Sequence, residues 1–224
     1  MFDFDLRAMM FRIPAIIIAL SIHEFAHGYA AYKLGDSTAK LDGRLTLNPL
    51  RHLDPIGMIL IILVGFGWAK PVMVNPYNFK NAKQDMAIVS LAGPLSNFIL
   101  GFFVMLLFVA LTIPFPNALT IQSGFIAFVG PMGIFLEFLQ VLTLLNIMLG
   151  VFNLLPIPPL DGSKLFSIIL PDHLYFRYIN FRYGMLIMVA LIFSGALAGI
   201  LFPLLLSIFH AYMNVAVWLL GPFM

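Results

Sequence analysis

The residues that could do chemistry in this chain stand together at His23-Glu24-Phe25-Ala26-His27. On a helix the two histidines lie about 40° apart and one turn along, so both imidazoles can grip one metal ion. Glu24 sits beside them, placed to take a proton from a metal-activated water. With only five histidines in 224 residues, this pattern would arise by chance about once in a thousand such sequences. A catalytic zinc needs a third protein ligand and an open position. The candidates are His52, His173, His210 and a handful of carboxylates. Asp161 stands out because it follows Asn153-Leu-Leu-Pro156-Ile-Pro158-Pro159-Leu160. Its three prolines break a helix, and broken backbone at membrane depth is tolerated only against protein or a wet cavity. Asp161 could equally be a plain N-cap for a helix beginning near Ser163.

The elements that must position these groups belong to a membrane protein. The chain is 62% hydrophobic, 14% aromatic and 10% charged, against roughly 45–50% apolar and about 25% charged residues in soluble domains. A net charge of +2 and no basic run argue against nucleic acid as a partner. With no Cys, disulfide frameworks, thiolate metal sites and cysteine nucleophiles are excluded.

Charge-free stretches mark the spans, since a bilayer core of about 30 Å takes around 20 helical residues. The first runs from about Ile13 to Tyr32, with Gly35 as a helix stop. Met86–Leu136 carries no formal charge, and Pro114 and Pro116 divide it, giving helices over roughly 86–112 and 133–155. Tyr183–Met224 is again uncharged and too long for one crossing, so Pro203 is expected to kink or split it. Ile56–Phe66 is too short to cross and reads as re-entrant. On that reading ten of the twelve basic residues fall on one face, leaving Arg7 and Arg12 on the other. If Ile56–Phe66 crossed, the bias would fall to eight against four. The positive-inside rule therefore places the N-terminus outside and residues 33–85 in the cytoplasm. Asp3, Asp5, Arg7 and Arg12 do not make a positive leader, so no cleaved signal peptide is expected. No internal repeat supports a transporter built from inverted halves.

These readings converge on an all-α polytopic membrane protein. It has about four to six transmembrane helices and a small re-entrant element after the first. Residues 1–224 are read as one membrane-embedded domain, with a core over about 10–170 and C-terminal helices over 183–220. If the first helix enters near Met9, His23 lies roughly 21 Å along it and roughly 9 Å from the far, cytoplasmic boundary. Ionisable groups at such depth usually mark function.

His23–His27, Gly93-Pro94-Leu95-Ser96-Asn97 and Asn153-x-x-Pro156-x-Pro158-x-x-Asp161-Gly162 together resemble the site-2 protease family of intramembrane zinc metalloproteases. The resemblance covers about residues 10–170, with the motifs in the family's order. It implies one zinc ion per chain held by His23, His27 and Asp161, with Glu24 as catalytic base. It implies that Asn97 and Asn153 lie near the centre, holding substrate or supporting the ligands. The implied substrates are membrane-spanning proteins cut within or near a transmembrane helix, as in regulated intramembrane proteolysis. The implied setting is a prokaryotic cell membrane with the site toward the cytoplasm. The chain has room for neither the PDZ-like nor the nucleotide-sensing domain of many members, so substrate filtering would fall to helices, loops, a homo-oligomer or a regulatory membrane partner.

Other positions read as structural. Leu41–Leu47 and Gly67–Val74 look extended. The resemblance implies a membrane-associated β-hairpin or re-entrant element here that could present an edge to substrate, and the alternative is an interfacial loop anchored by Trp68 and Tyr77. Asp54-Pro55 looks like a helix start. Glu137 is expected to pair or reach the interface, and His210 to be packed. The rival reading is a metal-dependent transporter or channel using the same ligands. A catalytically silent adaptor is disfavoured by the intact Glu24.

Overall fold

The computed structural model describes residues 6–64, 69–122, 125–166, 168–171, 173–174 and 181–223. Four helices are long and apolar enough to cross a membrane: α1 (Leu6–Lys33), α4 (Ala82–Thr112), α5 (Gly130–Asn153) and α8 (Ala196–Leu220). Between them lie α2 (Thr38–Leu41), α3 (Pro55–Val64), α6 (Asp161–Leu165) and α7 (Phe181–Phe193). One antiparallel hairpin, β1 (Leu119–Gln122) with β2 (Phe125–Phe128), pairs Leu119 with Phe128 and Gln122 with Phe125.

Lipid offers helices no hydrophobic drive toward one another, so close packing must hold them. The helices α1, α4 and α5 pack on one another, and α8 covers the outer side of α4 and α5. Ala15 of α1 and Ala216 of α8 are buried with Met105, Phe108 and Val109 of α4 and Leu136, Leu139 and Leu142 of α5. A second cluster joins Ile147 and Val151 to Leu197 and Leu201. Ile88, Leu95, Ile99, Phe103 and Leu107 are exposed at spacings of about one or two turns along α4, a lipid-facing stripe. Glu137 does pair, its Oε2 accepting from Arg7 at 2.6 Å.

Helix ends follow the punctuation in the sequence. At Gly35, φ is +110°, a value that suits glycine, and the Asp36 amide returns to the Ala31 carbonyl at 2.9 Å to close α1. Asp54 Oδ1 accepts from Gly57 N at 2.8 Å, capping α3 as expected. α3 is described over 10 residues, or about 15 Å, and the rest of the Ile56–Phe66 segment read as re-entrant lies outside the described residues. After α1 the described residues contain one isolated antiparallel bridge, Leu53 with Ala69. The regular hairpin instead joins α4 to α5, where the sequence had been read only as a proline-marked connection. Trp68 lies outside the described residues.

The C-terminal run divides differently from expectation. Its break falls at Gly195, with φ +72°, and Pro203 lies inside α8. A membrane helix tolerates an interior proline when neighbours supply partners for the freed groups, whereas a left-handed residue ends the helix outright.

Gly133 sets how closely α5 approaches the hairpin. A Cβ there would stand 2.8 Å from the Ala118 carbonyl oxygen and from the Phe128 carbonyl carbon. Both neighbours are backbone and cannot rotate away. Gly133→Ala should therefore cost about 1–3 kcal/mol, read as a lower melting temperature in detergent. Gly199→Ala in α8, where a Cβ meets nothing within 4 Å, should leave the melting temperature unchanged or raise it.

Candidate metal centre

α1 carries His23 and His27 on the face turned toward α4 and α6. Glu24 is buried beside them. His23 Nε2 and His27 Nε2 stand 3.0 Å apart, and Asp161 Oδ2 lies 3.1 and 3.0 Å from them. The imidazoles meet edge to face at 85°. Ligands of a tetrahedral zinc at 2.0–2.1 Å would stand about 3.3 Å from one another. The observed triangle is within a few tenths of an ångström of that spacing.

The outward bonds of the two rings decide which atoms carry protons. His27 Nδ1 faces the Val89 carbonyl at 2.7 Å, which can only accept, so Nδ1 is the donor. His23 Nδ1 faces Asn97 Oδ1 at 2.6 Å. The Asn97 amide nitrogen is spoken for, donating to Ala19 O at 3.0 Å and Asn146 Oδ1 at 2.9 Å, so Oδ1 accepts from His23. In the neutral imidazoles both Nε2 atoms are then bare lone pairs. Two imidazole lone pairs and a carboxylate oxygen converge on one buried point with no proton between them. Such a donor set fits a divalent cation of the zinc class.

The remaining geometry supports that fit. Asp161 is the first residue of α6, after the N-cap Leu160, and its carboxylate faces the two histidines. Its other oxygen, Oδ1, accepts from Lys164 Nζ at 3.0 Å. Gly93 lets α4 pass beside the rings. A Cβ there would fall onto His27 Nε2 and within 2.7 Å of His23 Cε1. Glu24 Oε2 accepts from the Val72 amide at 2.8 Å.

Of the two asparagines singled out in the sequence, Asn97 bonds His23, while Asn153 donates to Leu149 O of its own helix at 3.0 Å. His52 is buried and bonds the Thr46 carbonyl, and His173 and His210 are exposed. Among the described residues, the cluster with metal-ligand spacing is His23, His27 and Asp161. Sequence reasoning passed over Asn146, which is fully buried and fixes the Asn97 amide. Its signal was the same as that of Asn97, a lone amide in an apolar helix. It also passed over Lys164 and the Val72 amide.

Removing the ring partner or filling the space beside the rings should weaken metal binding. Asn97→Ala is expected to lower zinc affinity about 10–100-fold, measured by competition with a chromophoric chelator. Gly93→Ala should reduce bound zinc further, because its methyl group occupies the position of a ligand atom.

Comparison with known proteins places this geometry in a lineage. A family profile described as "Peptidase family M50" matches residues 11–192. The chain is 37% identical over 206 residues to the Bacillus subtilis protein named "Putative zinc metalloprotease YwhC", covering 90% of this chain and 89% of that one. It is 37% identical over 157 residues to "Putative zinc metalloprotease Rip2" of Mycolicibacterium smegmatis, spanning 53% of that protein. It is 26% identical over 165 residues to "Putative zinc metalloprotease MJ0611" of Methanocaldococcus jannaschii. No solved structure gives a significant match. The match across most of the chain, carried by motifs that meet in one buried donor set, makes this a membrane zinc metalloprotease of peptidase family M50, the site-2 protease family.

Proposed function

We propose that the chain is an intramembrane endopeptidase that hydrolyses peptide bonds within or near transmembrane segments of other membrane proteins, with one zinc per chain. The observation that carries this reading is the convergence of His23 Nε2, His27 Nε2 and Asp161 Oδ2 within 3.1 Å of one another, inside a bundle of membrane-capable helices.

The site lies near one end of that bundle. His27 is six residues short of Lys33, where α1 ends, which is about 9 Å. Lys33, Lys40, Arg44, Lys80, Lys83 and Lys164 belong to the helix ends and loops on that side. The bias supports reading it as the cytoplasmic side. Bacterial relatives favour a prokaryotic cell membrane.

A bound zinc would supply Lewis acidity and lower the pKa of an attacking water toward about 7. The chain's own groups do the rest. Glu24 accepts the water proton as the oxygen attacks the scissile carbonyl, then delivers it to the amide nitrogen as the C–N bond breaks. Asn97, held by Asn146, keeps His23 in the tautomer that leaves Nε2 free. Transmembrane substrates hide their carbonyls in helical hydrogen bonds, so the target must unwind before attack. Asn153, at the last turn of α5, stands at the entrance to the proline-rich turn as a candidate contact for that unwound segment.

The reading is tested with zinc-loaded protein reconstituted with a single-span membrane substrate. Glu24→Gln should keep its zinc and lose cleavage by about 10²–10⁴-fold. Asp161→Ala should lose zinc first and activity with it. Full cleavage by Glu24→Gln would remove Glu24 as base. Metal-dependent ion flux without any cleavage would favour a transporter.

A further inference from the structure

The segment 70–75 is extended yet joins no sheet, and it is pinned along its length. Lys70 N donates to the His52 carbonyl at 2.8 Å. The Pro71 carbonyl accepts from Arg44 Nη1 at 2.7 Å. Val72 N donates to Glu24 Oε2, and Asn75 N to Asp36 Oδ2 at 2.7 Å. The Val72 side chain lies close against α1, where a Cβ on Gly28 would stand 3.4 Å from Val72 Cγ1.

Asp36 is the firmest of these pins. It is fully buried, and Oδ1 also accepts from Asn78 Nδ2 at 2.7 Å and from the Thr38 amide and hydroxyl at 3.1 and 2.5 Å. Burial alone would push this carboxyl up, but the bonds from Thr38, Asn78 and Asn75 hold it below the usual carboxylate range. It therefore stays an anion, and an anion with four donors cannot let go of one cheaply.

The bond to Glu24 is a backbone amide spent on a side chain 48 residues away in sequence. A carboxylate beside three proton-free acceptors has little reason to hold one rotamer, since nothing nearby in α1 donates to it. A fixed N–H on Oε2 removes that freedom. We propose that segment 70–75 is a positioning element for the catalytic base, with the Val72 amide orienting Glu24 and Asp36 holding the segment at the height this bond requires. The proposal rests on the peptidase reading, with Glu24 as base. Val72 and Asp36 act through Glu24 and are positioning residues.

Val72→Pro removes the amide donor together with the side chain that packs on α1, and Val72→Ala, which keeps the amide, is the control for the side chain. With full-length, zinc-loaded protein and a membrane-spanning substrate, Val72→Pro should lower kcat about 10–100-fold. KM should stay within about threefold and zinc content at the wild-type value, while Val72→Ala behaves as wild type. Asp36→Asn should lower kcat in the same direction. If Val72→Pro does not accumulate, Asp36→Asn carries the test with the same readouts. A kcat within about twofold of wild type in the accumulating variant would overturn the proposal. So would a raised KM at unchanged kcat, which would make the segment a substrate contact.

A thermal-stability cycle separates this from the peptidase reading, because it needs no turnover. Val72→Pro should lower the melting temperature less in a Glu24→Ala background than in the wild type. Equal losses in both would show that the amide does not hold Glu24, whatever the enzyme cleaves.

Discussion

A bilayer core supplies neither water nor counter-ions, so lone pairs gathered there must meet a cation or be pulled apart. His23, His27 and Asp161 bring three such lone pairs within 3.1 Å of one another. Most of the buried polar structure around them serves to keep that arrangement. Val89 O and Asn97 Oδ1 take the outward imidazole protons, Asn146 fixes Asn97, and Lys164 engages the far oxygen of Asp161. Each link satisfies a group that would otherwise be stranded in lipid. Replacing any one of them leaves its partner unpaired, and the cost passes along the chain.

The helix packing answers to the same centre. His23 and His27 sit on α1 and meet Asp161 of α6 and Asn97 of α4, so α1 must approach both, and small residues on its face allow this. Ala15 and Ala19 are fully buried, and Gly93 removes the last obstruction from α4. The long apolar stripe on the other side of α4 has no such demand and faces lipid. One helix face is thus dictated by chemistry and the opposite face by solvent alone.

Much of this was legible in the residues. His23–His27 is local, and its spacing alone puts two imidazoles on one face. Its rarity in so apolar a chain made it strong evidence. The four membrane-capable helices followed from uncharged length. Asp161 was open between cap and ligand in the sequence, because residue type cannot say which way a carboxylate points, and only the fold puts its Oδ2 3.0 Å from His27 Nε2. Asn146 was as readable as Asn97, but nothing in sequence ranks one buried amide above another without their partners. The hairpin at 119–128 was lost within an uncharged run, where four-residue strands carry too little alternation to stand out. The break at Gly195 was passed over in favour of Pro203, since proline is the louder signal in water but not in a membrane. The amide of Val72 was beyond reach for another reason, as every residue but proline has one and only the fold says where it is aimed.

The ligands of the centre also have an order in time. His23 and His27 precede Asp161 in the order of synthesis, and Asp161 follows 134 residues after His27. Until α4 and α5 have inserted and the proline-rich turn has closed behind them, the third ligand has no position to occupy. A partly made chain therefore carries Glu24 and two imidazoles into the membrane without the carboxylate that completes the cluster. The distance between two motifs thus sets how late in synthesis the buried centre can close.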